Sequence, residues 1–302
     1  MGSILSLRNV VKKYSNHLAV DDVSFEMPRG CIFGLLGPNG AGKTSLIRII
    51  TTITGADDGE ILLDGENLNI NHPGQIGYLP EERGLYKKMK VGDQLLYLAQ
   101  LKGLEKNEAR KKLKSWLERW DMSDWWNKKI EELSKGMQQK VQFVATVVHE
   151  PKLIILDEPF SGLDPINTNL IKDTIHELNS NGTSVIFSTH RMEQVEEICQ
   201  HIVLINQGKK ILEGEVAEIK NDFKENKFKI GFSGTLPTDL TLNDFEVVED
   251  NTEELVIRVG QGHNGNDLLK GLIDRGINIR SYNEVLPTLN DIFIKQVGDS
   301  NE

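Results

Sequence analysis

The run Gly37-Pro38-Asn39-Gly40-Ala41-Gly42-Lys43-Thr44 satisfies every fixed position of the pattern G-x-x-x-x-G-K-[ST]. Its glycines let the backbone fold back tightly and present bare N–H groups to an anion. Lys43 is then placed to reach the outer phosphates of a nucleotide, and the Thr44 hydroxyl to ligate magnesium. The flanks decide between this reading and a glycine-rich turn that merely ends in Lys-Thr. Upstream, Cys31-Ile32-Phe33-Gly34-Leu35-Leu36 is a short apolar run of the kind a buried strand shows. Downstream, Ser45-Leu46-Ile47-Arg48-Ile49-Ile50 continues as a helix whose N-terminus faces the phosphates. Strand, glycine loop and helix stand in the order that nucleotide binding needs.

The chain has 302 residues, enough for one large domain or two unequal ones. No apolar run approaches the roughly 20 residues of a membrane helix. The first residues lack the basic region and apolar core of a secretory signal. Cys31 and Cys199 have no metal-like spacing, and Cys31 suits a small buried residue better than a disulfide. These features point to the cytoplasm. The net charge of -10 argues against general nucleic-acid binding. The charge is uneven: residues 83–135 carry 14 Lys/Arg against 8 Asp/Glu, and residues 216–302 carry 9 against 16. The basic stretch reads either as a solvated helical face or as a surface facing a membrane or membrane protein.

Taken in order, residues 4–10 and 18–27 read as strands, with Tyr14 between them. That tyrosine suits either base stacking or plain packing at a strand edge. Residues 59–65 read as a strand ending in an Asp-Gly turn, and Ile76-Gly77-Tyr78-Leu79 as another, stopped by Pro80. Helical patterns follow at 91–101 and 106–120. All four tryptophans lie here, and the four-residue spacing of Trp116 and Trp120 predicts a small helical core. Ser134 is placed as a helix cap, and an apolar helix is expected over 140–149. Leu153-Ile154-Ile155-Leu156 is an aliphatic strand ending in Asp157-Glu158-Pro159. Burying it brings both carboxylates to the C-terminal edge of a parallel sheet, where a magnesium site outweighs a surface acid pair. A turn at 160–165 precedes a helix over 168–178. The next buried strand, 184–188, runs into Thr189-His190, and a final pair is expected at 201–206 and 210–213. This alternation implies a mostly parallel sheet with helices on both faces. After about Glu215 short strands (228–232, 255–259, 277–282) and helices (267–274, 289–297) predict a small α+β unit without a chemical motif. There are no internal repeats.

With these pieces in place, residues 4–215 resemble the nucleotide-binding subunit of an ATP-binding cassette (ABC) transporter. The resemblance implies an α/β phosphate-loop NTPase cassette over 1–215: a mostly parallel sheet, added antiparallel strands, and a helical subdomain at about 84–140. A small α+β domain over 216–302 follows it. ATP and Mg2+ are the implied cofactors. Tyr14 matches the aromatic that stacks on adenine, and Gly37, Pro38, Asn39, Gly40, Ala41, Gly42, Lys43, Thr44 and Ser45 the ATP-binding loop and helix start. Asp157 would hold magnesium through water, with Thr44 and Glu81 as further ligands. Glu158 matches the general base, and His190 the switch histidine that contacts the γ-phosphate. Leu133-Ser134-Lys135-Gly136-Met137 matches the family signature, usually Leu-Ser-Gly-Gly-Gln, with Lys135 and Met137 as departures. Asp164 is the acid of the D-loop.

Glu81 is a third departure, standing where glutamine is usual; it can ligate magnesium with an added charge. The run Glu81-Glu82-Arg83-Gly84-Leu85-Tyr86 resembles a bacterial subgroup of exporter ATPases that includes sodium-efflux and antibiotic-resistance systems. Leu286-Pro287-Thr288-Leu289-Asn290-Asp291-Ile292-Phe293 resembles the closing motif of that subgroup's C-terminal domain. The resemblance implies a head-to-tail dimer of cassettes, each ATP lying between one loop and the partner's signature. It also implies a separate integral-membrane permease, an export role for ions, peptide antibiotics or lipids, and a peripheral place on the cytoplasmic face of the membrane. The rival class is a soluble ATPase of the same family acting on nucleic acid or ribosomes. Such proteins carry paired cassettes or long coiled-coil insertions, which this chain lacks, so no direct nucleic-acid partner is expected.

Overall fold

The computed structural model describes residues 2–82, 84–234, 245–251, 253–260 and 262–299. Arg83, within the 81–86 run noted above, lies outside the described residues, as do 235–244, 252, 261 and 300–302 of the C-terminal region. The chain forms two compact units, a first through Val216 and a second from Ala217.

The first unit opens with a long antiparallel hairpin, β1 (Ser3–Tyr14) and β2 (His17–Pro28). Tyr14 is therefore the last residue of β1, paired with His17, and not part of a connection between strands. The apolar run gives β3 (Ile32–Leu36), buried at all five positions, and the glycine loop leads from it into α1 (Lys43–Ile50). β4 (Asp58–Leu63) and the short β5 (Glu66–Asn67) complete a sheet of order β2-β1-β4-β5. After β6 (Ile76–Leu79) come three helices, α2 (Val91–Leu101), α3 (Lys106–Arg119) and α4 (Lys135–Val147). Then β7 (Leu153–Asp157), α5 (Pro165–Ser180), β8 (Ser184–Thr189), α6 (Met192–Ile198), β9 (His201–Asn206) and β10 (Lys209–Glu215) close the unit.

The second sheet has the order β10-β9-β3-β8-β7-β6, parallel except for the antiparallel edge strand β10. Strands β3, β7 and β8 are buried on both faces, which is why they read as unbroken apolar runs rather than alternating ones. Helices α5 and α6 contact one face of this sheet. The other face carries α1 together with the antiparallel sheet, sharing a core of Phe25, Phe33, Leu46, Ile47, Ile155 and Ile186. Helices thus lie on both faces as expected, and on the second face α1 is joined by the antiparallel sheet. Burying Leu46, Ile47, Ile49 and Ile50 of α1 there contributes about 1.5–3 kcal/mol per side chain.

Register sets the functional edge. Leu36 of β3 stands beside Thr189 of β8, and Asp157 of β7 beside Ser188. The glycine loop, both acids and His190 thus all leave the sheet at one level, at the C-terminal ends of adjacent parallel strands.

The tryptophans build the helical region, as their spacing predicts. Trp116 meets Trp120 edge-on with centroids 5.9 Å apart, and Trp120 stacks on Phe143 of α4 at 5.2 Å. Helix α4 starts at Lys135, not Lys140, because Ser134 caps it: its Oγ accepts from the Met137 N–H at 3.3 Å. The mostly polar run 135–140 hid this first turn behind an apolar pattern that begins later.

The second unit comprises α7 (Val216–Asp222), β11 (Lys227–Ser233), β12 (Phe245–Asp250), β13 (Glu254–Val259), α8 (Gly265–Asp274), β14 (Asn278–Val285) and α9 (Leu289–Asp299). Its antiparallel sheet has the order β12-β13-β11-β14. Leu268 and Leu272 of α8 pack on Ile230, Phe232, Leu255, Ile257 and Val259. In the 286–293 run, Thr288 and Asp291 exchange hydrogen bonds at the start of α9, so that motif works locally as a helix cap. Neither α7 nor β12 stood out in the sequence.

Candidate active site

Two glycines fix the loop's path. Gly37 has φ +148 and Gly42 φ +110, and an added Cβ would stand 2.1 Å from Ile205 O and 2.3 Å from Ala19 O respectively. No L side chain fits either place. Lys43, nearly buried, donates from Nζ to Gly37 O at 2.7 Å and to Pro38 O at 3.1 Å, so its charge lies over the loop. The first turn of α1 supplies backbone N–H groups that have no partner inside the helix.

These groups line a cavity of about 210 Å³ formed by Tyr14, His17, Ala19, Asn39 to Ser45, Glu81, Asp157 and Glu158. A larger cavity, about 520 Å³, lies between Ile49 and the β4–β5 hairpin, but aliphatic and small side chains dominate it. The smaller one holds the chemistry. Burial pushes the Lys43 ammonium down from its usual range, and the carboxylates of Glu158, Asp157 and Glu81 push it back up. Burial raises Asp157, and the neighbouring Glu81 and Glu158 raise it further. The Ser188 hydroxyl opposes this, donating to Asp157 Oδ1 at 2.8 Å. Three carboxylates face one ammonium, a balance that favours a further cation.

Glu158 is tightly held. Its backbone sits at φ +49, in the left-handed region uncommon for a residue with a side chain. The Glu158 N–H donates to Ser188 O at 2.9 Å, which fixes this turn. Thr189 Oγ1 donates to Glu158 Oε2 at 3.0 Å, and the His190 N–H donates to Oε1 at 2.9 Å. The His190 ring Nδ1 lies 2.6 Å from the same Oε1.

The structure thus gathers Tyr14, the glycine loop, Lys43, Thr44, Ser45, Glu81, Asp157, Glu158 and His190. Ser134, Lys135, Gly136 and Met137 do not line this cavity; they form the cap and first turn of α4, with Ser134 and Lys135 exposed and Gly136 and Met137 half-buried. Asp164 lies apart as well, capping α5 by accepting from the Asn167 N–H at 2.9 Å. Helix α4 and the turn that follows Glu158 are nevertheless tied together, since Gln139 Nε2 donates to Pro159 O at 3.0 Å. Sequence reasoning missed His17, Ala19, Ser188 and Thr189. The signal for the last two was a polar pair closing an otherwise aliphatic strand.

Sheet order, glycine loop and converging acids define a phosphate-loop nucleotide hydrolase of the cassette type. Known proteins sharpen this class. Residues 20–161 match the family described as ABC transporter, and residues 214–297 the family described as ATP-binding protein DrrA1-3-like, C-terminal domain. The chain is 42% identical over 98% of its length to the uncharacterized ABC transporter ATP-binding protein YhaQ of Bacillus subtilis, covering 99% of that protein. It is 32% identical over 76% of its length to the lipopolysaccharide export system ATP-binding protein LptB of Haemophilus influenzae, covering 98% of it. A solved structure described as the ATP binding subunit of an ABC transporter superposes with a TM-score of 0.69 at 29% identity, covering 73% of this chain and 93% of that one. The chain belongs to the ABC transporter family, as an ATP-hydrolysing, ATP-binding subunit with a DrrA-like C-terminal domain. No described helix is long and apolar enough to cross a membrane.

Proposed function

We propose that this chain hydrolyses ATP at a site shared between two copies and so drives a separate membrane permease, in the direction of export. The observation that carries the ATPase chemistry is the convergence of Lys43, Thr44, Glu81, Asp157 and Glu158 on one cavity beside the His190 contact. Tyr14, 39% exposed at the cavity's rim with Lys12 Nζ 5.5 Å from its ring centre, is the aromatic placed to stack on adenine. Loop N–H groups and Lys43 bind the phosphates.

The donor set fits magnesium. All the candidate ligands, Thr44, Asp157 and Glu81, offer oxygen, as this ion requires. Among the described residues no cluster of three or more His, Cys, Asp or Glu forms a ready-made metal cage. That agrees with an ion held by one or two carboxylates together with substrate phosphates. When bound, magnesium neutralises charge on the phosphates. Glu158 then takes the proton of the attacking water, and His190 both orients that carboxylate and meets the γ-phosphate. Ser134, Lys135, Gly136 and Met137 of the second copy close the site from the far side, with Asp164 at the junction. A hydroxyl, an ammonium and the N-terminal amides of α4 are all suited to a γ-phosphate.

Two features support the permease. Lys87, Lys88 and Lys90 are exposed on a segment held in place by the Glu131 N–H to Lys87 O and Ile130 N–H to Met89 O bonds. Beside it lies a cleft of about 260 Å³ lined by Leu85, Leu98, Leu101 and Ala145, suited to an apolar element flanked by acids. The likeness to an ATP-binding protein named for lipopolysaccharide export supports the direction. The implied place is the cytoplasmic face of a membrane. Pull-down of the chain from native membranes is expected to recover an integral-membrane subunit, and Lys87→Glu, Lys88→Glu and Lys90→Glu together to lose it. Recovery of no such subunit would remove the transport reading, and undiminished recovery with the triple variant would remove the basic surface from it.

A further inference from the structure

Strand β8 ends in two hydroxyl residues, Ser188 and Thr189, both with no exposed surface. Successive strand residues face opposite sides, so the two hydroxyls are not suited to serve a single carboxylate. They serve one each: Ser188 Oγ donates to Asp157 Oδ1 at 2.8 Å, and Thr189 Oγ1 donates to Glu158 Oε2 at 3.0 Å. The left-handed turn at Glu158 makes the second bond possible by swinging that carboxylate round to the end of β8. Thr189 Oγ1 also accepts from the Arg191 N–H at 3.1 Å, which aims its proton away from the following loop and at Glu158.

We infer that Thr189 is a positioning residue for ATP hydrolysis: its hydroxyl fixes the rotation of the Glu158 carboxylate. The His190 N–H and ring hold only Oε1. One held oxygen leaves the group free to turn about its terminal bond, a broad torsion with little barrier of its own. The second hold, on Oε2, removes that freedom and keeps a lone pair presented to the cavity. This rests on Glu158 being the general base; without that role there is nothing for Thr189 to orient. A misaimed base costs rate rather than nucleotide affinity, since Thr189 is not among the residues lining the cavity.

The test compares Thr189→Val, which keeps shape and loses the hydroxyl, with Thr189→Ser, which does the reverse, in steady-state hydrolysis by the full chain. Thr189→Val is expected to lower kcat about 10-fold with KM for ATP within about 2-fold, and Thr189→Ser to stay within about 2-fold of the parent in both. A parental kcat for Thr189→Val, equal losses in both variants, or a change confined to KM would each overturn the inference. Should Thr189→Val not fold, Thr189→Ala takes its place against Thr189→Ser. Glu158→Gln run alongside separates the two readings. If it turns over at the parental rate, the general-base assignment falls and takes the inference with it. If it is slow while Thr189→Val is not, Thr189 alone falls.

Discussion

Glu158→Gln is expected to lower the rate of ATP hydrolysis by about 10²–10³-fold while leaving ATP affinity within a few-fold of the parent. The amide keeps the length and shape of the side chain, and its one oxygen can still accept from the His190 N–H, where Glu158 uses Oε1. It cannot take a proton from water. The carboxylate's side chain is largely shielded, 13% exposed, so bulk buffer is a poor substitute base at that point. Phosphate release at saturating ATP checks the rate, and calorimetry checks the affinity. Hydrolysis at the parental rate would place the base elsewhere.

Lys43→Met should act on binding instead. Lys43 is 8% exposed and is the cation set against Glu158, Asp157 and Glu81. Methionine fills most of its volume, so the loop, fixed by Gly37 and Gly42, keeps its path. What disappears is the charge that lets a polyanion approach three carboxylates. A charge-assisted hydrogen bond contributes about 1.5–3 kcal/mol, so ATP affinity is expected to fall roughly 10–100-fold. Titration of the variant with ATP and magnesium by calorimetry measures it directly. Unchanged affinity would mean that backbone amides alone hold the phosphates.

These effects trace to the parts most legible in the sequence. A loop that tolerates only glycine at two positions and needs Lys43 over its carbonyls has few alternative spellings. Strands β3, β7 and β8 stood out because burial on both faces leaves their middles apolar up to the functional edge. Other parts were hidden for equally physical reasons. The first turn of α4 is only partly buried and carries Lys135, Gly136 and Gln138, so periodicity placed the helix start too late. Tyr14 read as lying between β1 and β2, because the two strands depart from simple alternation through several register shifts. Strand β12, Phe245-Glu246-Val247-Val248-Glu249-Asp250, is an acid-rich edge strand with little buried surface to mark it. Ser188 and Thr189 read as the tail of a strand, because their partners, Asp157 and Glu158, are 31 residues away in sequence. The departures at Glu81 and Lys135 are visible only against a family pattern; the structure puts the first in the cavity and the second on the exposed start of α4.

The central claim is that half of each ATP site belongs to a second copy. Ser134→Asp tests it most directly, because aspartate caps α4 as well as serine does yet sets a negative charge where a γ-phosphate is to be bound. The measurement is sedimentation of Glu158→Gln, with and without Ser134→Asp, in ATP and magnesium. A shared site predicts a dimer for Glu158→Gln in ATP but not in ADP, and a monomer when Ser134→Asp is added with ATP affinity of the monomer retained. A Glu158→Gln chain that stays monomeric in ATP, or a dimer indifferent to Ser134→Asp, would contradict it.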